Sequence, residues 1–106
     1  MYGLPRNPGQ NVRTVTATGS VRKTDDVVLL DATNGAFNFT LLSPAGMERQ
    51  VTLKAINTNS NLITVLAPGT AQIDTYGGSV NLGALGSAAQ LNAATLANDN
   101  SNYWLV

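Results

Sequence analysis

VVLLDATNGAFNFTLL, residues 27–42, holds two different apolar patterns on either side of one turn. Val27 to Asp31 is a short continuous apolar run ending on a carboxylate, the pattern of a strand buried on both faces. Ala36 to Leu42 alternates instead: Phe37, Phe39 and Leu41 point one way, Asn38 and Thr40 the other. Between the runs lies Asn34-Gly35, the pair best suited to the positive φ angles of a two-residue hairpin turn. The stretch therefore predicts two antiparallel strands joined by a tight turn, with Phe37, Phe39 and Leu41 in the core.

The same punctuation continues in both directions. Val12 to Thr18 is rich in β-branched residues, which fit a pleated surface. Ser43 to Arg49 reads as a loop. Gln50 to Asn57 alternates again, the TNSN turn follows, and Leu62 to Ala67 completes a second expected hairpin, adding Ile56 and Ile63 to the expected core. Pro68-Gly69 breaks that run. Short pieces follow at Gln72–Asp74 and Ser79–Gly83. Gly86 to Ala97 carries the Ala and Leu of a helix, but Leu91, Ala93 and Thr95 alternate with Asn92, Ala94 and Leu96, so it reads as a strand. NDNSN then turns the chain into a last strand, YWLV, which places Trp104 in the core or on a subunit face. About eight short strands with turns every 8 to 12 residues predict an all-β fold, an antiparallel β-sandwich or a barrel.

Residues 1–11 differ from the rest. Two Pro and two Gly make this stretch an extended arm or a loose terminus, followed by a single β domain over residues 12–106. As an arm, it would dock through Tyr2, Leu4, Pro5, Arg6 and Val12. The stretch lacks the continuous apolar core of a signal peptide, and no window approaches the ~18 apolar residues of a membrane helix. The expectation is synthesis in a cytoplasm and no membrane partner.

Composition narrows the function. The 106 residues include no Cys and no His, so thiolate metal sites and the usual neutral-pH base are missing. Six basic and six acidic residues balance to zero, which gives no reason to expect a nucleic-acid partner. Only 11% of residues are charged, less than half of the usual ~25%. A surface of Asn, Thr, Ser and Gln is cheaper to desolvate than a charged one and suits packing against other chains; the plainer alternative is a neutral β protein with no special interface.

No constellation of reactive groups stands out. The carboxylates are Asp25, Asp26, Asp31, Glu48, Asp74 and Asp99. A pair such as Glu48 and Asp74 would serve glycoside hydrolysis only if the fold brought them face to face. A Ser or Thr nucleophile would have only Lys23 or Lys54 as base, and neither sits in a motif. The Gly-bearing stretches lack phosphate-loop spacing. Asn98 to Asn102 offers oxygen ligands, but without the Gly and bidentate Glu of a calcium loop it reads as an Asx-rich turn. Tyr76, Tyr103 and Trp104 form a sugar-stacking platform in one reading and plain core in the other. No catalytic residue, cofactor or metal is therefore expected.

The stretches DATNGAFNFTLLSPAG, VTLKAINTNSNLITVLAPGTAQID and NDNSNYWLV resemble a small β-rich module of tailed-bacteriophage virion proteins. Asp31, Gly35, Leu41, Pro44, Lys54, Ile56, Asn61, Ile63, Asp74, Asn102 and Trp104 carry the resemblance by order and approximate spacing, over about Asp26 to Val106. The chain departs from the pattern in DNSN where DGxN is usual, in Thr75 where Gly is usual, and in a Pro44 one position late. The resemblance implies a non-enzymatic virion protein, a capsid decoration or head-fibre protein that binds the major capsid protein or other virion proteins as a homotrimer. The alternative it implies is a tail-fibre or baseplate module recognising host-surface glycan. A buried Trp104 would favour the first and an exposed one the second.

Overall fold

The computed structural model describes residues 11–47, 49–84 and 88–106. The fold is all-β: among the described residues there are nine strands in two mixed sheets and two short 3₁₀ turns, at Pro44–Gly46 and Asp74–Tyr76. The strands are β1 (Val12–Val15), β2 (Gly19–Ser20), β3 (Val27–Leu30), β4 (Phe37–Thr40), β5 (Val51–Ala55), β6 (Ile63–Leu66), β7 (Ser79–Leu82), β8 (Ala93–Asn98) and β9 (Tyr103–Leu105). A five-stranded sheet has the order β1-β3-β5-β8-β9 and a four-stranded sheet the order β2-β4-β6-β7.

The chain alternates between the sheets at each of its first six strands. β1, β3 and β5 pair in parallel in one sheet, and β2, β4 and β6 pair in parallel in the other. Each strand thus bonds to the strand one full circuit away, as in the coils of a solenoid. The last three strands reverse this: β7 joins β6, β8 joins β5 and β9 joins β8, all antiparallel.

This arrangement corrects the antiparallel expectation. Asn34-Gly35 does not close a hairpin; it lies on the crossing from β3 in one sheet to β4 in the other. Gly35 has φ 154°, while Asn34 does not take positive φ. The TNSN turn likewise crosses from β5 to β6 rather than folding one onto the other. The expected strand over Gly86 to Ala97 begins only at Ala93. Of the residues before it, 90 and 91 run alongside β7, with both amides donating to the Asn81 carbonyl and Leu91 bridging Leu82.

Alternation sets the core. Phe37, Phe39, Leu41 and Ile63 are buried as predicted, and they join Val28, Leu30, Leu53, Val65, Leu82 and Leu96 in one cluster fed by both sheets. Two expected core residues are not there. Ile56 is 41% exposed and Trp104 44% exposed. Val51, Leu53 and Ala55 face inward, so Ile56 falls on the outward side with Thr52 and Lys54. Tyr103 takes the inward position that Trp104 was expected to fill, with its hydroxyl donating to the Leu42 carbonyl at 2.8 Å. Burial of that phenol raises its pKa.

The crossings are stitched by side-chain amides. Asn61 Nδ2 donates to the Ala32 carbonyl (2.8 Å) and Asn59 Nδ2 to the Thr33 carbonyl (3.0 Å), tying one crossing to the next. Asn57 is buried, and its Nδ2 faces three oxygens of Asn59 and Asn61. That fixes the amide orientation and leaves its Oδ1 without a partner.

The first coil adds an ion pair to its inward apolar residues Val15 and Val21. Arg13 reaches Asp25 through Nε (3.1 Å) and Nη2 (2.7 Å), and Nη2 also donates to the Ser20 carbonyl. Burial pushes the Asp25 carboxyl up, but the Arg13 hydrogen bond, the Arg22 amide and the two guanidinium charges outweigh it and leave the pKa lowered. Asp25→Asn should destabilise the fold by about 2–3 kcal/mol, less than the loss of a fully buried pair because Arg13 keeps some access to water. Urea unfolding at neutral pH measures it. The same substitution should reduce the loss of stability on acidification, since a lowered carboxylate contributes fully above its unfolded pKa of about 3.9 and is lost as pH falls through its folded value.

Candidate functional site

The outward face of the five-stranded sheet follows from register. Val12 pairs with Val27 and Val27 with Thr52, while Thr14 pairs with Leu29 and Leu29 with Lys54. Thr52 then pairs with Thr95, Lys54 with Ala93, and Ala97 with Trp104. The face is therefore made of Val, Leu, Thr and Ala, with Ile56 and Trp104 exposed on it. Lys54 is the charged side chain among these paired positions, and its ammonium donates to Asn92 Oδ1. Of the predicted docking residues, Val12 sits at one edge of this face, 58% exposed. Tyr2, Leu4, Pro5 and Arg6 lie outside the described residues.

Trp104 sits at the other edge, held by the turn before it. Its indole N–H donates to Asp99 Oδ2 at 2.8 Å. Asp99 Oδ1 accepts from the amides of Ser101 (2.9 Å) and Asn102 (2.8 Å), and Asn98 Oδ1 accepts from the Asn100 amide. This is an Asx-rich turn, as read from the sequence, with Asn100 at φ 75°. The indole N–H and the Asn102 and Ser101 amides hold the Asp99 carboxyl below the ordinary carboxylate range.

The outer edge of β9 is closed by the segment 72–74. The Tyr103 amide donates to the Gln72 carbonyl (2.8 Å), the Gln72 amide to Asn102 Oδ1 (3.0 Å), and the Leu105 amide to Asp74 Oδ2 (3.1 Å). Asp74 and Asn102 thus do structural tasks around β9.

The carboxylates are largely committed in this way. Asp25 and Asp26 pair with Arg13 and Arg49, Asp31 accepts from the Thr33 amide and hydroxyl, and Asp74 and Asp99 serve β9 and its turn. Glu48, half of the pair considered for glycoside hydrolysis, lies outside the described residues. Among the described residues no group of three or more His, Cys, Asp or Glu is placed to hold a metal. The three aromatics do not share a groove: Tyr103 is buried inside the sheet, Trp104 points outward from the next position, and Tyr76 stands half-exposed on the second 3₁₀ turn.

A shallow depression is lined by Ala45, Met47, Arg49, Gln50, Ala97, Asn98 and Asn100, and it reaches Trp104 only through Ala97, its cross-strand partner. Sequence reasoning missed Gln50 and Asn100 here. The signal for Gln50 was its parity with Thr52 and Lys54; the place of Asn100 depends on the turn geometry. Comparison with family models, with curated proteins and with solved structures found no match.

Because the protein has one Trp, its emission reports directly on this turn. Titration should show an emission step with a midpoint below the ordinary Asp value of about 3.9. The sign follows from the lowered pKa: the ionised Asp99 that accepts the indole N–H persists above that range and is lost as pH falls through the folded value. Asp99→Asn should remove the step while leaving far-UV circular dichroism unchanged at neutral pH.

Proposed function

We propose that this chain is a non-enzymatic structural protein of a bacteriophage particle, a capsid decoration or head-fibre protein that binds the capsid lattice as a homotrimer, its two sheets forming a sandwich. One observation carries the reading: the broad outward face of the five-stranded sheet is apolar or Thr-lined at its paired positions apart from Lys54, where a soluble monomer normally places more charge. Val12 and Ile56 stand exposed on it, beside the half-buried Val27 and Leu29. Such a face suits contacts with identical subunits or a repeated lattice, where several weak contacts on a rigid body add by avidity. The roles of Asp74 and Asn102 around β9 are those of turn-and-core signature residues and agree with the phage-module resemblance.

The exposed Trp104 favours the second reading, a tail-fibre or baseplate module that recognises host-surface glycan. The first reading uses the β1, β3 and β5 part of the face and the second its β9 edge. Four interstrand steps of about 4.8 Å separate β1 from β9, or roughly 19 Å.

Immuno-electron microscopy of intact particles separates them. Label at regular positions over the head is the expected result, and label confined to the tail tip would transfer the proposal to adhesion. Unlabelled particles would end both readings. Sedimentation equilibrium should give a trimer, and Ile56→Lys should shift it towards monomer; a wild-type chain that stays monomeric at all concentrations would remove the homotrimer.

A further inference from the structure

The Trp104 edge has the parts of a ligand site that the lattice reading does not use. The indole is 44% exposed, yet its N–H is tied to Asp99, whose other oxygen is held by two backbone amides. Its orientation is therefore set before any ligand arrives, which lowers the cost of binding. Trp104 pairs across the sheet with Ala97, which lines the neighbouring depression. Continuing the β5–β8 register sets Gln50 opposite Ala97, so Ala97 lies between Gln50 and Trp104 on the outward face and its methyl group leaves a low floor between them.

The rim supplies amides. Gln50 and Asn100 are exposed, line the same depression, and have side-chain amides without a partner among the described residues. An amide offers one acceptor and two donors, matching vicinal hydroxyl groups. The charged groups nearby are already engaged, Arg49 with Asp26 at 2.6 Å and Asp99 with the indole and the turn amides. The Arg49–Asp26 pair is neutral as a unit and Asp99 is anionic, so the surroundings carry no net positive charge to select an anionic ligand over a neutral one.

The geometry points to a binding site for a neutral pyranose of a surface polysaccharide, with the apolar face of the sugar ring on Trp104 and its hydroxyls on the Gln50 and Asn100 amides. The inference rests on the second reading above and names its site and ligand class. It does not use Tyr103, which faces the core, or Tyr76.

The test titrates the intact protein with methyl glucoside, galactoside, mannoside and N-acetylglucosaminide and with their short oligomers. Trp104 emission and saturation-transfer NMR are followed together. A saturable response to at least one sugar, with a dissociation constant on the order of 1 mM, is expected. Gln50→Ala and Asn100→Gly should each weaken it by about fivefold to tenfold without changing the emission of the free protein. Gly is chosen at 100 because it accepts the positive φ there. Trp104→Phe should weaken binding in the NMR measurement, where the loss of the fluorophore does not matter. Binding that persists unchanged in all three variants would overturn the site while leaving glycan recognition standing elsewhere on the chain. No saturation transfer from any sugar would overturn both. Emission that depends on protein concentration and not on sugar would mean that a second copy covers Trp104, which also overturns the site.

Discussion

The parallel register between successive coils is the constraint on which the rest of the structure depends. In a hairpin, a strand finds its hydrogen-bond partner a few residues away. Here β3 finds its partners in β1 and β5, and the chain must leave the sheet, pass through the other one and return before a ladder can form. Two requirements follow. The crossings must carry backbone polar groups without a ladder of their own, and each inward face must fill the space between two sheets. Asn59 and Asn61 meet the first by donating to Thr33 and Ala32 carbonyls of the crossing beneath them. Alternating Phe, Leu, Ile and Val meet the second.

This explains what the sequence discloses and what it withholds. Alternation at Phe37, Phe39 and Leu41 gives strand, face and burial correctly, because the side-chain period of two is a local property. The identity of the paired strand is not local. Asn34-Gly35 satisfies the chemistry of a hairpin turn and serves equally well at a crossing, so the pair marks a change of direction without saying where the chain goes. Ile56 was legible in principle, since an inward Ile56 would also have placed Lys54 inward. Tyr103 against Trp104 was harder. Either aromatic fits an inward position by size, and the choice rests on the Leu42 carbonyl that receives the Tyr103 hydroxyl and on the Asp99 carboxylate that receives the indole N–H. The exposed face that carries the functional reading was invisible in sequence for the same reason, because it is assembled from five strands whose order alternation does not encode.

The two ends of the coil stack are finished differently. At the β7 and β9 end the chain closes its own sheet edges, with residues 90–91 along β7 and residues 72–74 along β9. At the β1 and β2 end the edges are blunted: β2 has only two residues, and Arg13 turns a guanidinium inward to Asp25. Short strands and inward charges are the means by which β proteins discourage unplanned strand addition. Among the described residues, the stack is closed at one end by its own backbone and bounded at the other by a short strand and an inward ion pair.

The ties around β9 also order events in time. Gln72, Asp74 and Leu42 all wait for Tyr103–Leu105 to supply their hydrogen-bond partners. As the chain leaves a ribosome, the first three coils can begin to stack while the lock that fastens them is still unmade. Contacts of such long sequence separation form late and slowly. A product broken off before residue 103 would therefore emerge with its coils begun and its clasp missing, open to proteolysis.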